Sequence, residues 1–307
     1  MQQLPVRLSH LSFSYGARVA LNKIDLSVKP GEIAVLAGPN GSGKTTLLKI
    51  LAGLLTRDSG EIDIFGMNPQ TQRMEIMKDT RFAFAPPALY PALTAWEHLS
   101  AMAKLSTPKK NQFSDKELMT NLELVGLEKR AHDRTSDYSF GMRQRLALAM
   151  AITPTPKLLV LDEPTEGLDP LAVLEFRDIL RRLREERGVT ILLSSHLLVK
   201  LEELADVLLV LHEGSTLFYG KPSDLIDASG TLQITVAGDP SKAQDDLDTA
   251  GFSTIIDGGR LRFTEKEPSL TQTVNILGSS LQEYTRHRPN LEDALLTRLA
   301  MAKKEAH

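Results

Sequence analysis

Short apolar runs alternate with helix-spaced segments from the N-terminus to about residue 220. EIAVLAG (32–38) is apolar almost throughout and leads into a helical pattern from Lys44 to Leu54. KLLVL (157–161) precedes a helical pattern from about Pro170 to Glu186, and VTILLSS (189–195) follows it. Continuous apolar strands suit a parallel sheet covered on both faces, so these segments predict an α/β core. The early runs LSFSY, KIDLSV and GEIDIFG read as an antiparallel flank. Between Arg81 and Ile152 the pattern turns mostly helical, which predicts a helical subdomain over about 83–152.

After FYGKPSDLI the order changes to strand (TLQITVA), helix (SKAQDDLDTA), strand (FSTIID), a GG turn, strand (RLRFTE), helix (SLTQTVNIL), strand (LQEYTRH) and helix (NLEDALLTRLA). That βαββαβ order with an added helix predicts a small α+β, ferredoxin-like domain. Asn290 is the expected N-cap of the last helix, and Leu291, Leu295 and Leu299 form an apolar stripe for docking on the domain's own sheet. The domain boundaries read from the sequence are therefore 1–225 and 228–307.

Composition narrows the chemistry. A net charge of −3 gives no basic footprint for nucleic acid. The absence of cysteine removes disulfides, thiolate metal sites and a Cys nucleophile, and fits a reducing cytosol. MQQLPVRLSH lacks the apolar stretch of a signal peptide. The longest apolar runs fall far short of the ~20 residues a membrane helix needs, so any action at a membrane is expected to go through a partner.

The strongest local signal is GPNGSGKTT, Gly38 to Thr46, between a strand and a helix. Glycines there let the backbone wrap phosphates, and its N–H groups join the positive end of the following helix. Lys44 is placed to reach β- and γ-phosphates and the Thr45 hydroxyl to ligate Mg²⁺, the pattern of a P-loop NTPase. KLLVLDEP supplies the second element, a buried strand ending in Asp162 and Glu163, one acid to hold hydrated Mg²⁺ and the next to activate water.

Further motifs narrow the class. YSFGMRQRLALAMAI (138–152) resembles the signature sequence of ABC ATPases, EGLDP (166–170) their D-loop and SSH (194–196) their switch histidine. Tyr15 in FSYGARVAL sits where that family stacks an aromatic ring on adenine. Over residues 6–220 the chain is thus similar to an ABC transporter nucleotide-binding subunit. The resemblance implies that Gly38, Asn40, Gly41, Ser42, Gly43, Lys44, Thr45 and Thr46 bind the phosphates of ATP and Mg²⁺. Asp162 would hold Mg²⁺ through water, Glu163 would be the catalytic base and His196 would contact the γ-phosphate. Ser139 and Gly141, with Asp169 of the D-loop, would act on ATP bound by a second cassette, expected to be another copy of this chain. A separate transmembrane permease would hold the pair at the cytoplasmic face of the membrane.

Two positions depart from the family pattern. Ala85, followed by Pro86 and Pro87, stands where a Gln usually contacts Mg²⁺ and the attacking water, and Phe140 stands where Gly is usual. SFGMRQR, LLSSHLL and a tail ending NLEDALLTRL resemble single-cassette exporter subunits that handle drugs, sodium, polysaccharides, lantibiotics, haem or membrane-maturation cargo. Two other readings are compatible with these residues: a degenerate cassette that binds ATP and regulates a competent partner, and a soluble ABC ATPase acting on DNA or ribosomes.

Overall fold

The computed structural model describes residues 3–106, 113–196, 203–228, 231–263, 266–287 and 290–299, apart from 292 and 297. The chain divides into two compact units, Met1–Pro222 and Ser223–His307.

The first unit opens with β1 (Val6–Tyr15), β2 (Arg18–Val28), β3 (Ile33–Ala37), α1 (Lys44–Leu51) and β4 (Ser59–Asp63). β2, β1 and β4 form the antiparallel flank in that order. Along β1, Val6, Leu8, Leu11 and Phe13 are buried and polar residues stand between them. One face of this sheet therefore meets the core. α2 (Arg73–Asp79), β5 (Thr80–Ala83), α3 (Ala95–Ser106), α4 (Asp115–Leu124), α5 (Phe140–Ala151), β6 (Leu158–Leu161), α6 (Pro170–Arg187), β7 (Thr190–Ser195), β8 (Val207–His212) and β9 (Ser215–Gly220) follow.

The main sheet has the order β5-β6-β7-β3-β8-β9, parallel except for β9 at its edge. β3, β6 and β7 are buried at every position, which is why their sequences run apolar without alternation. Leu47, Leu48, Ile50 and Leu51 bury the inner face of α1 in the same core, each such side chain contributing about 1.5–3 kcal/mol. In a parallel sheet the carboxyl ends of neighbouring strands open on one edge. Register places Ala37 of β3 beside Ser195 of β7, and Leu193 of β7 beside Leu161 of β6. Three loops, after Ala37, Leu161 and Ser195, therefore leave side by side.

Two expected boundaries move. The helix expected to reach Leu54 stops at Leu51, because Gly53 turns left-handed (φ 66). The Leu54 and Gly53 N–H groups then return to the carbonyls of Lys49 and Ile50, closing a Schellman motif. The region expected to turn helical near Arg81 begins instead with β5, whose four residues are too few to show a period. They pair parallel with β6 and are pinned where Asp162 N–H donates to Ala83 O at 2.9 Å. The helices of this region start only at Ala95.

After α7 (Pro222–Ala228), the second unit runs β10 (Thr231–Val236), α8 (Pro240–Thr249), β11 (Thr254–Asp257), β12 (Arg260–Phe263), α9 (Leu270–Leu277) and β13 (Leu281–His287). Its strands form one antiparallel sheet in the order β11-β12-β10-β13. Leu232, Ile234, Leu247, Leu261 and Phe263 make its core. Further on, Asn290 Oδ1 accepts from Asp293 N–H at 2.9 Å, the geometry of an N-cap. Leu291 and Leu295 are buried there, while Leu299 is half-buried.

Candidate functional site

The loop after β3 is wedged between neighbours that leave no room for side chains at two of its positions. A Cβ on Gly38 (φ 143) would fall 2.2 Å from Leu211 O, and one on Gly43 (φ 109) would fall 2.7 Å from Ala20 O. Only glycine satisfies both the space and the dihedrals. Gly214 N–H donates to Ser42 O at 3.1 Å and ties the loop to the β8–β9 turn. α1 then begins with no side-chain cap and no acidic residue in its first turn. Its leading N–H groups and the positive end of its dipole are free to meet an anion.

Lys44 is buried, 5% exposed. Its Nζ donates to Gly38 O at 2.8 Å and Pro39 O at 3.2 Å, and lies 3.3 Å from Glu163 Oε1. The other carboxylate oxygen, Oε2, accepts from His196 Nδ1 at 2.8 Å and from His196 N–H at 3.2 Å. An ionised carboxylate only accepts, so the Nδ1 proton sits on the histidine. Lys44, Glu163 and His196 thus form one contiguous chain across the three strand ends.

Glu163 has a left-handed backbone (φ 45), a conformation that costs a non-glycine residue on the order of 1–3 kcal/mol and persists where its surroundings hold it. Ser194 provides part of that hold. Its Oγ accepts from Glu163 N–H at 2.7 Å and donates to Asp162 Oδ1 at 2.7 Å. Thr45 Oγ1 donates to the same Asp162 oxygen at 3.2 Å. The SSH motif points to His196 and assigns no role to Ser194. The available signal was a hydroxyl at the end of a wholly buried strand, where a polar group needs partners.

Lys44, Thr45, Asp162 and Glu163 border a cleft of about 700 Å³, while Ser194 and the expected His196 are outside its lining and reach it through Asp162 and Glu163. Of the expected residues, Tyr15, Asn40, Gly41, Gly43, Lys44, Thr45, Thr46, Asp162 and Glu163 line it. Tyr15 is 49% exposed and rests edge-on against Phe13, with ring centroids 4.8 Å apart, which leaves a ring face open to stack on a planar group. Arg18, Glu166, Glu213 and Gly214 line the cleft too and were not expected; Glu213 and Gly214 arrive from the β8–β9 turn, far along the chain. Ala85 also lines it, so residue 85 faces the site with a methyl group.

The remaining expected residues stand elsewhere in the same unit. Gly38 and Ser42 support the loop from behind. Ser139 Oγ accepts from Met142 N–H at 3.3 Å and caps α5. Asp169 Oδ1 accepts from Ala172 N–H at 2.9 Å and caps α6. Phe140 is 39% exposed and covers Gly167, where a Cβ would come within 3.0 Å of its ring, and Gly141 lies against Leu168. The start of α5 is therefore packed on Gly167 and Leu168 of the EGLDP segment, of which only Glu166 reaches the cleft.

No three His, Cys, Asp or Glu side chains converge as a metal cage among the described residues. Thr45 and Asp162 instead offer a hydroxyl and a carboxylate side by side. That is the oxygen set with which Mg²⁺ is held when phosphates and waters complete its shell. No helix among the described residues is long and apolar enough to cross a membrane.

Comparison with known proteins gives a consistent picture. The family model described as "ABC transporter" matches residues 21–166. The bacitracin transport ATP-binding protein BcrA of Bacillus licheniformis is 38% identical over 213 residues, 69% of this chain and 68% of its own. The uncharacterized ABC transporter ATP-binding protein YhcH of Bacillus subtilis (strain 168) is 30% identical over 302 residues, 98% of this chain and 97% of its own. Among solved structures, the dimeric post-hydrolysis state of the ATP-binding cassette MJ0796 bound to ADP and Pi superposes with a TM-score of 0.63 at 26% identity, covering 70% of this chain and 98% of that one.

Proposed function

The chain belongs to the ABC transporter family as an ATP-binding, ATP-hydrolysing subunit, and on that premise we propose a role for each group around the cleft. The observation that carries the assignment is the Lys44–Glu163–His196 chain facing the uncapped start of α1. It supports a reading in which a cation, a base and a second donor would meet a terminal phosphate bound to the loop.

In this reading Tyr15 stacks on adenine, and the N–H groups of Asn40 to Thr46 cradle the phosphates. Thr45 and Asp162 would hold Mg²⁺, which supplies neutralisation of the phosphate charge when bound. Lys44 turns its charge from Glu163 to the β- and γ-phosphates. That releases Glu163 to take a proton from the attacking water. The water oxygen bonds to the γ-phosphorus, the bond from that phosphorus to the bridging oxygen breaks, and ADP leaves with the bridging electron pair. His196 donates from Nδ1 to Glu163, and its other ring nitrogen, Nε2, would face the γ-phosphate. Positioning and charge stabilisation carry most of the acceleration.

Ser139, Gly141 and Asp169 lie outside their own cleft and act on the nucleotide of a second copy of this chain. The start of α5, a helix N-terminus with an exposed rim, is suited to cap a phosphate from the opposite side. The dimeric form of MJ0796 supports such an arrangement. A separate permease would anchor the pair at the cytoplasmic face of the membrane, and the bacitracin-transport relative supports export, with cargo chosen by the permease. Purification from detergent-solubilised membranes tests this. We expect a multi-span membrane protein to accompany the chain and its ATPase rate to rise in that complex. A chain that associates with nucleic acid and with no membrane protein would contradict the transport role.

A further inference from the structure

Adjoining the cleft is a second, half-open cavity with room of about 20 Å³, enough for one water, which needs roughly 10–15 Å³. Ala85 and Asp162 line both this cavity and the cleft, so they form the partition between the two. Gln144 of α5 also lines this cavity. This side chain is only 6% exposed, and its Nε2 has no hydrogen-bond partner among the described residues. A buried amide is almost always given a partner in a native protein, because leaving it dry forfeits its hydration without return. The other lining side chains, such as Phe84, Leu148 and Phe176, are apolar, which leaves backbone groups and the Asp162 carboxylate as acceptors. Thr45 and Ser194 both use Oδ1 of Asp162, and among the described residues none bonds Oδ2.

We propose that Gln144 is a positioning residue for ATP hydrolysis: a water held by its Nε2 braces the Ala85–Asp162 partition from behind. The proposal rests on the reading of the cleft given above. It explains how a chain with only a methyl group at residue 85 keeps the Asp162 side of the site in place, since the polar contact is made on the far side of the wall. It also gives α5 a mechanical route to the cleft. The helix starts at Phe140, in the segment expected to meet the second copy. Any shift of α5 on association would move Gln144, and through the water would move the wall carrying Asp162.

Gln144→Met keeps length and bulk while removing the donor. In steady-state assays of the full chain, we expect kcat for Mg-ATP to fall about tenfold with KM within about twofold. The Mg²⁺ concentration for half-maximal rate should rise. In an Ala85→Gln background, where residue 85 carries its own polar group, the same substitution should cost less than half as much. A wild-type kcat and Mg²⁺ requirement in Gln144→Met would overturn the proposal, as would an equal loss in both backgrounds or a loss of ATP binding. Should Gln144→Met fail to fold, a high-resolution crystal structure of the unsubstituted protein decides. A water bonded to Nε2 supports the brace, and a dry cavity removes it. Neither failure touches the cleft assignment, which falls with Lys44 instead.

Discussion

The two walls of the cleft are built on different principles. On the Glu163 wall every polar group is tied down: Lys44, His196 and Ser194 hold the carboxylate or its backbone from three directions. On the Ala85 wall residue 85 brings only a methyl group to the surface, and the buried amide of Gln144 lines the cavity that Ala85 shares with the cleft. Such a difference teaches where catalytic power should be concentrated. Groups that are charged, buried and mutually bonded lose the most when one is removed, because the others are left uncompensated. A wall that presents a methyl group at residue 85 has little to lose there and something to gain.

Removal of the lysine tests the strong wall most severely. Lys44→Ala should weaken ATP binding about 100-fold or more, about 2.7 kcal/mol, measured by equilibrium titration with a fluorescent ATP analogue. It also strips Glu163 of its nearest cation. Retention of wild-type affinity would show that the phosphate lies elsewhere. His196→Ala comes next, with kcat lower by about 100-fold and ATP affinity nearly unchanged, because the loop and Lys44 carry binding. A parallel loss of affinity would place the histidine in ground-state binding instead.

The weak wall predicts a smaller effect of opposite sign. Ala85→Gln should raise the maximal ATPase rate by up to about tenfold, about 1.4 kcal/mol, or tighten Mg²⁺ dependence, while Pro86→Gln, one residue outside the cleft lining, should do neither. Equal effects from both variants would mean that the wall is not the surface described here. The smallest change is expected from deleting residues 223–307. The second unit has its own core, and the described residues that line the cleft all belong to the first unit. ATP affinity of the remaining unit should stay within about twofold.

The same contrast explains what could be read from the sequence. The loop from Gly38 to Thr46 and the Asp162–Glu163 pair were legible because each is a local arrangement. Glycines where the chain is crowded and acids at the end of an apolar strand keep their meaning without tertiary information. The strand and helix order of the second unit was legible for a similar reason. Ser269 and Asp239 cap its helices, and Gly258–Gly259 turns one strand into the next. Glu213 and Gly214 were not legible, since each reaches the cleft only through the packing of distant strands, while Ser194 left only the hint of a hydroxyl ending a buried strand. β5 was missed because a four-residue edge strand has no period to detect, and its partner β6 lies far along the chain. Ala85 could be placed by resemblance alone, while its position as a shared partition required the cavities on both sides.

The most direct test of the cleft as the site of hydrolysis is a paired measurement on Glu163→Gln, binding and single-turnover cleavage of the same Mg-ATP sample. The amide preserves shape and still meets His196, but it cannot take a proton from water. We predict ATP affinity close to that of the unsubstituted chain, cleavage slower by about 100-fold or more, and accumulation of an ATP-bound dimer by light scattering. Cleavage at the unsubstituted rate would contradict the assignment of Glu163 as the base.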